Sequence, residues 1–106
     1  MEQITVEEYT DGVKILLALA QGNVGGSRVA AQVLLSAFNG EAFQLDVVDL
    51  GNLDEKHYRA ALAVIRGRTE TRLEPHTLVA NGDKVFPELW KQWKGYHVQQ
   101  RGQMYE

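Results

Sequence analysis

The sequence has no cysteine, which excludes disulfide bridges and thiolate metal sites. Its three histidines, His57, His76 and His97, are too widely spaced for a local ligand motif, so neither a metal nor another cofactor is expected. No apolar run approaches the roughly 20 residues that span a bilayer. The opening stretch MEQITVEEYTDG is acidic and lacks the basic-then-apolar order of a signal peptide. These absences lead us to expect a cytoplasmic protein with no membrane association. Repeats, low-complexity tracts and Pro/Gly-rich linkers are also missing, so nothing divides the chain. We expect a single helical domain over residues 1–95 and a polar C-terminal tail over 96–106.

Base is scarce in the first half. Residues 1–55 hold nine acids against Lys14 and Arg28, whereas residues 56–106 hold nine bases against five acids. A chain polarised in this way either pairs its own halves or offers an acidic face to one partner and a basic face to another. With 44% hydrophobic and 24% charged residues the composition is that of a folding globular domain.

The apolar residues follow a helical period. Thr5 and Glu8 form a capping-box pattern that starts a helix near Val6. Val6, Tyr9, Val13, Leu16, Leu17 and Ala20 make its stripe, with Gly22 placed as a left-handed terminator. Ile15 and Leu19 widen this surface, so this helix is expected to be the central one. After a glycine-rich turn, Ser27 is placed to cap a second helix ending at Asn39-Gly40, with Ala30, Val33, Leu34, Ala37 and Phe38 inward. The short connection makes the pair an αα-hairpin.

Residues 41–53 read as an extended loop. Asp54 caps a third helix carrying Tyr58, Ala61, Leu62 and Ile65, which fades near Gly67. Pro75 opens a short helix ending at Asn81-Gly82. Asp83 is placed to cap a last helix with Pro87 in its first turn and with Phe86, Leu89, Trp90 and Trp93 as its stripe. The expected fold is all-α, a small bundle of four to five helices. The alternative is an α+β fold in which residues 43–48 and 69–73 pair as a two-stranded sheet.

The segments AQGNVGGSRVAAQVLL (20–35), LDVVDL (45–50) and NGDKVF (81–86) carry a resemblance. Over roughly residues 12–94 the chain resembles an uncharacterised family of small proteobacterial proteins, a domain of unknown function often carried on plasmids, prophages and integrative elements. The resemblance implies a mobile-element context and supplies no catalytic residues.

Three groups of residues carry candidate chemistry. Gly25, Gly26, Ser27 and Arg28 run from a glycine-rich turn into a helix N-terminus, where free N–H groups favour an anion. The turn lacks the Gly-Lys-Ser/Thr ending of a phosphate loop and follows a helix rather than a strand, so a plain interhelical turn is the competing reading. Asp46, Asp49, Asp54 and Glu55, with Glu41, form an acidic surface for a basic partner; their spacing matches no calcium loop. As an inhibitor, such a surface would imitate nucleic-acid phosphates in a basic groove. Arg66, Arg68, Arg72, Lys91 and Lys94 form the basic counterpart, suited to a protein partner or a nucleic-acid backbone. No histidine sits in a recognisable catalytic pattern. The expected function is therefore non-enzymatic protein binding, as an accessory or anti-defence factor of a mobile element. Nucleic-acid binding through the basic half is the alternative.

Overall fold

The structure is a computed structural model and describes residues 2–100. Four α-helices, α1 (Val6–Ala20), α2 (Ser27–Phe38), α3 (Glu55–Thr71) and α4 (Gly82–Gln92), are joined by three short 3-10 segments at Val47–Asn52, Pro75–Leu78 and Lys94–Tyr96. The fold is all-α, and no strand occurs among the described residues.

The alternative sheet is thereby corrected. Residues 69–71 form the last turn of α3, and Val47 and Val48 open a 3-10 turn. The hydroxyls that favoured a strand are spent inside the helix: Thr69 Oγ1 donates to the Ile65 carbonyl at 2.9 Å and Thr71 Oγ1 to that of Gly67 at 2.6 Å. Arg66 adds a bidentate bond to Glu70 one turn on, at 2.7 and 3.1 Å. So α3 continues past Gly67, where it was expected to fade, and stops at Arg72 in a left-handed conformation.

Gly67 continues the helix because α1 lies against it. A Cβ built there would stand 2.0 Å from Tyr9 Cγ, so only glycine admits the ring. The fully buried Tyr9 then donates its hydroxyl to the Leu73 carbonyl at 2.8 Å, tying α1 to the end of α3. Burial pushes the Tyr9 hydroxyl pKa up to about 12.

The αα-hairpin of α1 and α2 forms as expected, and α1 packs on both α2 and α3 as a central helix would, while α2 also reaches α4. Every residue from Val29 to Leu35 is buried, including Gln32, because α1, α3 and α4 all pack on α2. Val6, expected in the α1 stripe, is 46% exposed; Tyr9, Val13, Leu16 and Ala20 are fully buried.

Caps divide similarly. Thr5 and Glu8 form the expected capping box, and Asp54 accepts from the His57 N–H at 2.9 Å. Ser27 is not the cap of α2: Gly26, at φ +88°, occupies that position. Buried Ser27 instead folds the turn back on itself, its Oγ accepting from the Val24 N–H and its own N–H donating to the Val24 carbonyl. Gly26, rather than Gly22, is the left-handed glycine of this connection. Asp83 is not a cap either, since α4 begins at Gly82 after left-handed Asn81. Pro87 therefore lies beyond the first turn, where it leaves the Asp83 carbonyl without an intrahelical donor at an exposed position.

Where the polar tail was expected, Tyr96, His97 and Val98 lie on the body. The Val98 N–H donates to the Ala42 carbonyl at 2.8 Å, and the His97 ring packs edge-on with Phe43 and tilted against Trp90. Residues 101–106 fall outside the described residues.

Candidate functional site

The segment after α2 is built from short-range bonds. Asp46 accepts from the Val48 N–H at 3.0 Å and so starts the 3-10 turn, which closes on Leu53 through the Leu50 carbonyl. Leu50 is the apolar anchor of the turn, 8% exposed. The polar anchor comes from α2. Arg28 Nη1 donates to Asp49 Oδ2 at 3.0 Å and to Gln32 Oε1 at 2.7 Å, and its guanidinium lies 5.6 Å over the Tyr96 ring. One side chain thus fastens the 3-10 turn to α2 and to the C-terminal turn.

Held in this way, the turn directs apolar side chains to solvent. Val47 is 72% exposed and Val48 82%; on the adjoining face of α3, one turn apart, Tyr58 and Leu62 are about 40% exposed. A cleft of about 470 Å³ opens among Val47, Leu50, Gly51, Leu53, Glu55 and Tyr58. Leu53 is also a wall of a second cleft of about 400 Å³, which extends to Val24, Gly25, Gly26, Asp54 and His57. The two clefts have Leu53 in common and make a two-part groove of mixed apolar and polar lining along the 3-10 turn, the glycine-rich turn and the start of α3.

Two of the groups picked out from the sequence therefore share a face. Asp46 and Asp54 stand at turn and helix starts, Asp49 is held by Arg28, and Glu55 pairs with Arg59 at 2.9 Å with both side chains about three-quarters exposed. The backbone N–H and then the ring of His57 hold the Asp54 carboxyl below its ordinary pKa. Gly25 and Gly26 line the second cleft, while Ser27 is buried and Arg28 is engaged by Asp49, an anion supplied by the chain itself.

The basic group is dispersed. Arg66 is held by Glu70 and also donates to the Glu2 carbonyl. Arg68 donates to the carbonyls of Ala37 and Arg72. Arg72 is the exposed C-cap of α3, whereas Lys91 and Lys94 are exposed at the far end of α4. Trp93 faces inward, its Nε1 donating to the Ala20 carbonyl at 2.9 Å, and Trp90 stacks edge-on against Phe43. Stacking platforms beside these bases are accordingly committed to the core. Nor do the two halves neutralise one another at long range: among the described residues the ion pairs are local in sequence, apart from Arg28 with Asp49, which lies within the acidic half.

Sequence reasoning missed Val24, Val47, Val48, Tyr58 and Leu62 as surface features. A signal was present: Val47 and Val48 are adjacent, so alternation buries at most one of them, and Asp46 and Asp49 flank the pair. Two histidines lie in the folded framework. The ring of His57 bonds Asp54 at 2.8 Å as part of the cap, and His76, whose Nδ1 is buried without a partner, packs edge-on against Phe38. Among the described residues no three His, Asp or Glu side chains converge on a metal position. No helix among them is long and apolar enough to cross a membrane.

No curated protein and no solved structure matches the chain. The model of a family of unknown function, DUF7673, matches residues 10–94, which is most of the chain, and the protein belongs to that family.

Proposed function

We propose that this protein is a non-enzymatic protein-binding module that docks its partner in the groove beside Val47 and Val48. The carrying observation is the exposure of these two valines, 72% and 82%, next to an apolar cleft in a segment whose charged residues are all acids. Large apolar side chains grouped on a surface and rimmed by polar groups are the composition of interfaces. The finer setting, an accessory or anti-defence factor of a mobile element, rests on the resemblance noted in the sequence. The basic half supports nucleic-acid binding less well, because Arg66 and Arg68 are already bonded within the fold.

The test compares tagged wild-type protein with a Val47→Ser/Val48→Ser variant in affinity purification from host lysate with and without nuclease, followed by size-exclusion chromatography. A stoichiometric partner held by wild type and lost by the variant is the expected result. A partner retained equally by both proteins would remove the groove from the reading. Capture that disappears with nuclease would replace it with nucleic-acid binding.

A further inference from the structure

We infer that the groove takes a basic amphipathic helix of another protein, with aliphatic anchors in the two clefts and Lys or Arg against the acidic rim. This rests on the docking groove proposed above and names the chemistry of its occupant. Three observations select it. First, no strand occurs among the described residues, so an incoming segment finds no open sheet edge to extend; the walls are helical turns, which receive a helix by its side chains. Second, the clefts share Leu53 as a wall and each has aliphatic lining, Val47 and Leu50 in one and Leu19 and Val24 in the other, which suits aliphatic anchors.

Third, the clefts are lined by carboxylates, Glu55 in one and Asp54 beside His57 in the other, and by no Lys or Arg among the described residues. Among the described residues Asp46 has no ion-pair partner and Asp54 only His57. Glu55 is held by Arg59 in a pair open to water, which an incoming cation can exchange. Lys56 is the other exposed base in this turn. A second copy docked groove to groove would set acids against acids, which disfavours self-pairing at this face.

The probe is a fluorescent Leu/Lys amphipathic peptide of about 15 residues, long enough to hold a helix when docked. It is compared with a matched peptide carrying Glu for Lys. Anisotropy titrations with the full chain are paired with amide chemical-shift mapping. We expect the Lys peptide alone to bind, with shifts centred on residues 47–58 and affinity falling as salt rises towards about 0.3 M. Val47→Ser/Val48→Ser should weaken it about tenfold. Arg59→Gln, which frees Glu55, should tighten it roughly twofold to threefold.

Equal binding of both peptides, with loss in the valine variant, would overturn the basic partner and leave the docking groove standing. Binding that maps away from residues 47–58, no binding, or a wild-type dimer in sedimentation that dissociates in the valine variant would also overturn the inference. The lysate comparison then decides separately whether the groove docks any protein.

Discussion

The face between α1 and α3 and the face formed by the 3-10 turn with the start of α3 use the same helix in opposite ways. At the first, Gly67 brings the backbone against the Tyr9 ring, and Tyr9 is fully buried with its hydroxyl bonded. At the second, Tyr58 lines a cleft with Val47, and Val48 and Leu62 are also exposed. The first face has used its apolar area in folding, while the second has kept area that folding left uncovered. Stability should therefore be sensitive on one side of α3 and nearly indifferent on the other, and binding should show the reverse.

The largest effect is expected from Gly67→Ala. The new methyl meets a buried ring with no room to withdraw, and a loss of about 3 kcal/mol is expected in urea unfolding. A value near zero would mean that α1 and α3 separate easily, and the contrast would collapse.

Tyr9→Phe keeps the ring and removes the bond to the Leu73 carbonyl, for an expected loss of about 1 kcal/mol. It also carries a pH signature. The folded pKa of about 12 exceeds the ordinary 10.0, so the folded state holds the proton more tightly. This contribution is complete below about pH 10 and is lost as pH rises through about 12. Phenylalanine at this position should flatten the alkaline decline in melting temperature.

Arg28→Ala should be milder globally, roughly 0.5–1 kcal/mol, because its pair with Asp49 is partly open to solvent. Its effect should be concentrated in amide exchange of residues 47–52, which lose their tether to α2. Smallest of all, Val47→Ser/Val48→Ser should change stability by less than about 0.5 kcal/mol while removing the bound partner. On the acid side, Glu70 is held below its ordinary pKa by Arg66 and then by the Ile4 N–H. That contribution is present above about pH 4.5 and fades as pH falls through the folded value, which a Glu70→Gln melting profile would reveal.

How legible these features were depended on the distance over which each is decided. The Thr5–Glu8 box, the Asp54 cap, the end of α2 at Asn39 and the hairpin follow from groups within a few residues of one another. Reading Gly67 as a terminator failed because the reason for that glycine, Tyr9, is far away in sequence. The depth to which α2 is buried was hidden similarly, since its flanks become interior only when α3 and α4 close over them. At the candidate site the acids were visible and their duties only partly so: Asp54 read as a cap, whereas Asp49 bonds an arginine 21 positions earlier.

The sequence by itself determined the helices, most of their ends, the absence of thiol chemistry and the charge polarity, because these depend on residue type and local spacing. Only the tertiary structure decided which apolar residues would remain in water. Burial is a property of what packs opposite, and nothing in the described fold packs opposite Val47 and Val48 deeply enough to cover them.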